Sequence, residues 1–256
     1  MRPLLSLIRR EFTAYFLSLI GFVAIAFFLF FTGFLFVIYP LYGLTEAGPY
    51  GVEDPMQSLL GHDLFWIVYA LILPLLTMRL IAEERATGTL EMLLTAPIRD
   101  WQVVAGKYIG AFLFYIVLWL PTLAYVPVLI DLDWSNFHAR IDPAPVLSTY
   151  FGVLLVGAMF LAIGLFVSSL VRSQLVAALI SLLISLGFVA ITFLQLVLDP
   201  NSWAAQVVAY LSVPDHFRLN FTRGVIDTRN VVLYLSVTVF CLFLTVRSLE
   251  ARRLRA

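Results

Sequence analysis

Apolar positions along this chain fall into six long runs, roughly 16–38, 63–82, 103–130, 146–170, 175–198 and 230–249, separated by short polar stretches. None shows the period-2 alternation of a barrel strand, so each run is read as a helix. A bilayer core of about 30 Å takes about 20 helical residues, and all six runs reach that length. The pattern predicts an all-α integral membrane protein of six transmembrane helices, with residues 1–256 forming one transmembrane domain. Pro74, Pro121 and Pro127 fall inside predicted spans. Each lacks a backbone donor and is expected to bend its helix.

Composition supports this reading. The chain is 62% hydrophobic and 12% charged, and a soluble domain carries about twice that share of charge. A net charge of zero argues against a nucleic-acid partner. Cys241, the single cysteine, lies in an apolar run and reads as a small packed hydrophobe. The first apolar run is longer than a signal-peptide core and no small-residue cleavage site follows it closely, so it is expected to stay as a span.

Orientation follows from the basic residues. With the N-terminus inside, the cytoplasmic segments carry Arg2, Arg9, Arg10, Arg79, Arg85, Arg99, Lys107, Arg172, Arg247, Arg252, Arg253 and Arg255. The other side carries only Arg140, Arg218, Arg223 and Arg229. The positive-inside rule then puts both termini in the cytoplasm.

The middles of the six spans hold no Asp, Glu, Lys, Arg or His, which removes the usual means of coupling to protons or sodium. No Gly-x-x-x-x-Gly-Lys-Ser/Thr occurs either: Gly106-Lys107 is followed by Tyr108 and has no glycine five residues before it. Any ATP-derived energy must come from a separate subunit. Small residues do recur: Ala177, Ser181 and Ser185 every four positions, and the pairs Ala158/Ala162 and Gly164/Ser168. Such spacing lets helices approach closely. The Ala177/Ser181/Ser185 stripe is read either as plain helix packing or as a translocation path or dimer interface.

The densest polar feature is Glu83-Glu84-Arg85-Ala86-Thr87-Gly88-Thr89-Leu90-Glu91-Met92-Leu93-Leu94-Thr95-Ala96-Pro97, between the second and third runs. Gly88 is read as a permissive helix start with Glu91 in the first turn. Ala86, Leu90, Leu93 and Leu94 share one face, Pro97 stops the helix, and Glu83, Glu84, Arg85 and Glu91 point elsewhere. Asp100 is expected to cap the next helix. Residues 3–15 form a second amphipathic element, with Leu5, Ile8, Phe12 and Tyr15 on one face and Ser6, Arg9 and Thr13 on another, beside Arg10; such a helix lies in the interface plane. Residues 168–174 are a short cytoplasmic loop and a further contact. Outside, Trp203, Val207, Tyr210 and Leu211 before Pro214 predict a re-entrant or interfacial helix. His62, His138 and His216 are isolated, and no metal site is assigned.

The 83–97 stretch, followed by Lys107, closely resembles the first cytoplasmic loop of type-2 ABC exporter permeases. It is most similar to the branch of gliding-motility-associated permeases and, more distantly, to those for nitrous-oxide-reductase maturation. The segment His216-Phe217, Phe221, Arg223-Gly224-Val225-Ile226-Asp227-Thr228 and the end at 247–253 resemble the same branch.

The resemblance implies that 83–97 is a coupling helix for a cytosolic ABC ATPase, with Glu83, Glu84, Arg85, Thr87, Gly88, Thr89, Leu90, Glu91, Leu94 and Pro97 its contact residues. It also implies that 3–15 is an elbow helix built on Leu5, Ile8, Arg9, Arg10 and Phe12. The expected assembly has two ATPase copies holding ATP and Mg, a second permease subunit (a homodimer or a paralogue), and a periplasmic partner, all in the lipid of a bacterial cytoplasmic membrane. This chain itself is expected to bind no cofactor and catalyse nothing. The alternative is a membrane anchor or scaffold for an ATPase-driven machine that moves no cargo. An intramembrane protease is disfavoured: Glu83-Glu84-Arg85 has the wrong spacing for a prenyl-protein peptidase, and no intramembrane His completes a site.

Overall fold

In a computed structural model the described residues are 2–41, 55–89, 99–131, 143–195, 197–199 and 202–253, and they contain helices and turns with no strand. The chain opens with α1 (Arg2–Leu17), which breaks at Ser18 and continues as α2 (Leu19–Phe36). Ser18 sits in extended backbone and its side chain accepts from Gly21 N, an N-cap that starts the second helix at a new angle. A π-helical turn (Val37–Leu41) ends it.

Next come α3 (Pro55–Leu60), α4 (Asp63–Thr77) and a short α5 (Ala82–Ala86). The third run is α6 (Asp100–Trp119), a 3-10 turn (Leu120–Ala124) and α7 (Tyr125–Asp131). Pro121 sits in the first positions of that 3-10 turn, where its missing N–H costs least. The long α8 (Pro143–Leu170) and α9 (Gln174–Leu194) follow. Two short helices, α10 (Trp203–Leu211) and α11 (Val213–Leu219), and a 3-10 turn (Phe221–Arg223) lead into α12 (Thr228–Arg253).

Among the described residues five helices are long and apolar enough to cross a membrane: Leu19–Tyr39, Asp100–Val128, Pro143–Leu170, Gln174–Leu194 and Thr228–Ala251. The remaining run, expected over 63–82, is a shorter apolar helix that stops at Thr77. Its early end has a tertiary cause. The N–H groups of Ile81 and Ala82 do not reach back along the helix but donate to Ser168 Oγ of α8, at 3.1 and 2.9 Å. Two further details differ from expectation. Asp100 is the first residue of α6 rather than its cap; Arg99 holds that position and its N–H goes to Gln102 Oε1. The outer interfacial segment is two helices rather than one, because Ser212 caps α11 through Asp215 N.

α8 is the central post: 78% of its most apolar stretch is buried, against at most 39% for the other four spans. It packs most extensively on α12, while α1 lies along α6 and α9 lies on α4. The interior is aromatic: Trp66 packs on Phe217 with ring centroids 4.6 Å apart, and Phe28 meets Trp119 edge-on at 5.0 Å. Large rings exclude lipid from the bundle while keeping few rotatable bonds. Cys241 is buried.

Candidate cytoplasmic coupling site

The charged stretch is helical before it is a turn. Ala82–Ala86 makes one helical turn, and Gly88 at φ +74° ends it in left-handed backbone. So Gly88 terminates a helix on its N-terminal side, a role the sequence reading did not give it, and glycine takes that geometry without Cβ strain. Thr87 Oγ1 donates to Glu83 O at 3.0 Å and lies 3.0 Å from Thr89 Oγ1, while Thr89 Oγ1 donates to Glu84 O at 3.3 Å. Glu83 O also accepts the Thr87 N–H, and the hydroxyls add donors at the carbonyls of the helix end. Leu90, Glu91, Leu94 and Pro97 lie outside the described residues. Ala86, Thr87, Gly88 and Thr89 are exposed.

The three charged residues before this turn have separate partners. Glu83 takes Arg79 in a bidentate pair at 2.7 and 3.2 Å. Arg85 Nη1 donates to Val171 O at 3.0 Å and Ser169 O at 3.3 Å, carbonyls at the C-terminal end of α8. Glu84 turns inward: its Oε1 is 2.8 Å from Lys107 Nζ and 3.1 Å from Arg10 Nη2. The expectation that all these charges face the cytosol is therefore corrected for Glu84, because a buried cation holds it. Lys107 is 1% exposed and also lies 3.3 Å from Glu11 Oε1 of α1. Arg10 bonds the same Glu11 oxygen at 2.7 Å.

Why α1 comes so close is legible in α6. Cβ atoms built on Gly106 and Gly110 would stand 2.5 Å from Leu7 Cδ2 and 2.7 Å from Glu11 Cβ. The two glycines, one turn apart, form the flat strip on which α1 lies, and Lys107 between them reaches Glu11. This rotates the buried face of α1 relative to expectation. Leu7 is buried and Glu11 points inward, whereas Leu5 is 73% exposed. Ile8 is half-buried, Phe12 packs against the core, and Arg9 is exposed. Tyr15 adds a bond from its hydroxyl to Leu76 O, at 2.7 Å, in the last turn of α4.

Electrostatics favours the charged forms of Arg10 and Arg79. Desolvation would lower Arg10, but hydrogen bonds and charge from Glu11 and Glu84 leave it above its ordinary value. The hydrogen bond to Glu83 raises Arg79. The Ser168–Gln174 loop, expected as an independent contact, is stitched to this knuckle through Ser168 and Arg85.

The small-residue stripe on α9 lies elsewhere. Ala177, Ser181 and Ser185 are at most 3% exposed and turned into the same chain, on a helix that packs against α4 and α8. The reading of these residues as a path or dimer interface gives way to packing within one chain. The opposite face carries Leu175, Leu179 and Leu183, all exposed. At the end of the bundle away from the charged knuckle Arg218 Nε donates to Gly61 O at 2.5 Å and its guanidinium pairs with Asp63, clasping α11 to the start of α4. His216 is buried with Nδ1 2.6 Å from Tyr234 Oη. Among the described residues no group of His, Cys, Asp and Glu is arranged to hold a metal ion.

The sequence reading missed the inward carboxylate of Glu11. A signal existed: Lys107 falls inside an apolar run, and Glu11 is the single carboxylate of the first amphipathic helix. A family model described as ABC-2 family transporter protein matches residues 45–214. No curated protein matches the chain.

Proposed function

The chain belongs to the ABC-2 transporter family, and from that premise we propose that its exposed turn at Ala86–Thr89 is where a cytosolic ATPase takes hold. A member of this family is a multi-pass transmembrane permease subunit of an ABC transporter. The finer reading is that two ATPase copies, holding ATP and Mg, drive a pair of such permeases by pulling on the 83–97 segment. That drive would move an unidentified substrate across the cytoplasmic membrane, with both termini inside. The resemblance of 83–97, 216–228 and 247–253 supports the gliding-motility-associated branch, with the second permease either another copy of this chain or a paralogue and a periplasmic partner as a further member of the complex.

One observation carries the reading. An exposed turn is fastened to three helices: Glu84 to α6 and α1, Arg85 to the end of α8, and the N–H groups of Ile81 and Ala82 to Ser168 of α8. A force applied at Thr87–Thr89 is thereby passed to three helices rather than lost in a slack loop. Glu84 and Arg85 act as the fastening, and Thr87, Gly88 and Thr89 as the surface offered to the partner.

The test is site-specific crosslinking. In a Cys241→Ser background, Thr89→Cys is expected to crosslink to the ATPase encoded with the permease, and Thr228→Cys at the opposite end of the bundle is not. Labelling of Thr89→Cys by an impermeant thiol reagent added outside intact cells would overturn the orientation. Absence of any crosslink in an assembled complex would overturn the docking assignment and favour a scaffold that contacts its ATPase elsewhere.

A further inference from the structure

Where α1 turns into α2, a cleft of about 270 Å³ opens against α4 and α6. Its cytoplasmic end is charged in balance: Arg10, Arg79 and Lys107 face Glu11, Glu83 and Glu84. Its other end is apolar, with Ile20, Leu75 and Leu76. Leu75 also lines a second groove, about 360 Å³, that is almost wholly apolar and continues along α2, α4 and α9 past Val23, Phe27 and Leu179. Charged cleft and apolar groove thus form one track from the helix corner along a span. Leu17 and Leu19 beside the corner are 87% and 79% exposed, an apolar surface that suits lipid.

The charged end has donors to spare. Among the described residues Arg10 uses only Nη2, on Glu11 and Glu84, and Arg79 uses Nε and Nη2 on Glu83. Arg10 Nε and Nη1 and Arg79 Nη1 are left for an anion, and guanidinium edges suit phosphate oxygens. A bare anion would meet three carboxylates in the same cleft, which disfavours it. A headgroup carrying both charges meets no such opposition. A primary ammonium supplies three N–H donors for a carboxylate, and Glu83 is the most exposed of the three acids, at 37%.

We propose that this track seats one phospholipid with a phosphate–primary ammonium headgroup, as in phosphatidylethanolamine. Its phosphate lies toward Arg10 and Arg79, its ammonium toward Glu83, and one acyl chain passes Leu75 into the groove. The inference does not depend on the ATPase reading, because it concerns what the isolated permease retains.

The experiment is native mass spectrometry of the full chain released from nanodiscs containing phosphatidylcholine, phosphatidylglycerol and phosphatidylethanolamine in equal parts. Preferential retention of one phosphatidylethanolamine is expected. Arg10→Gln/Arg79→Gln is expected to lose that preference, and Leu75→Gln, with every charge in place, is expected to lose the lipid. Arg247→Gln, remote on α12, is expected to keep both. Glycerophosphoethanolamine, which has the headgroup without chains, is not expected to displace the lipid. Equal retention of the three lipids, unchanged retention in both cleft variants, or displacement by the chain-free headgroup would each overturn the proposal. The last result would assign the cleft to a soluble phosphate compound.

Discussion

Glu83 and Glu84 are neighbours of identical chemistry, yet the structure gives them opposite weights. Replacing Glu83 by Ala breaks a pair with Arg79 whose side chains are 37% and 31% exposed; such a pair is worth about 0–1 kcal/mol. Replacing Glu84 by Ala strips Lys107 of its nearer partner, and Lys107 is 1% exposed with only Glu11, at 3.3 Å, left to compensate. Breaking a fully buried pair costs about 3–5 kcal/mol. Because Glu84 is 19% exposed and Glu11 stays in reach, the expected loss is about 2–3 kcal/mol, below that range. Lys107→Met then decides whether the cost is electrostatic. In the Glu84→Ala/Lys107→Met double variant no cation is left stranded, so it is expected to be more stable than the sum of the singles by about 1–3 kcal/mol. Equilibrium unfolding of the purified protein in mixed detergent–denaturant micelles, followed by tryptophan fluorescence, reads the unchanged protein and the four variants. Equal losses for Glu83→Ala and Glu84→Ala, or strict additivity in the cycle, would refute the buried-hub reasoning.

Ser168→Ala is expected to destabilise by about 1–3 kcal/mol in the same assay, because it leaves the buried N–H groups of Ile81 and Ala82 without an acceptor; Ser169→Ala, whose hydroxyl serves only a local carbonyl, is the control. Cysteines at 179 and 183 in a Cys241→Ser background are expected to react with membrane-soluble maleimides, whereas those at 177, 181 and 185 are protected; fast labelling of the second set would place the small-residue stripe at a surface. Burial holds His216 below its ordinary value despite the nearby charges of Asp215 and Asp227. The unfolded chain therefore binds the extra proton first, so this stability is fully present above about pH 6.5 and falls as pH drops through the lower folded value. His216→Gln is expected to flatten that acid-side slope in a thermal melt, and an unchanged slope would show that His216 is not its source.

The apolar runs foretold where helices lie because bilayer thickness sets a length that composition must meet, and α8, α9 and α12 follow their runs closely. What the runs do not encode is where tertiary partners interrupt them. The helix of α4 does not continue past the turn after Thr77 because a serine from α8, about ninety residues away in sequence, takes the N–H groups of Ile81 and Ala82. The face of α1 was misjudged because an amphipathic pattern ranks Leu5 above Glu11, while the glycine strip of α6 accepts Leu7 and Glu11 instead. Residue type alone marks Gly88 as special, and its left-handed φ explains why: it closes the turn after Ala82–Ala86, and Thr89 beside it is again helical. The stripe Ala177/Ser181/Ser185 shows the limit of spacing as evidence: small residues say that something approaches closely, and here that neighbour is the same chain.

The fastening of the knuckle also restricts how it can move. Glu84 is tied to α1 and α6, and Arg85 and the N–H groups of Ile81 and Ala82 to the end of α8. Sliding the knuckle relative to any of these elements would strand Lys107 or two buried N–H groups, each costing about 1–3 kcal/mol or more. Moving all of them together breaks none of these bonds. A partner pulling on the Ala86–Thr89 turn would therefore displace α1, the start of α6 and the end of α8 as one body. The compliant joints left to absorb that motion are the break at Ser18, Pro74 within α4, whose missing N–H loosens the helix there, and the 3-10 turn at Pro121. All three interrupt an apolar run, where a change in backbone angle alters the outer half of a helix without disturbing the charged end.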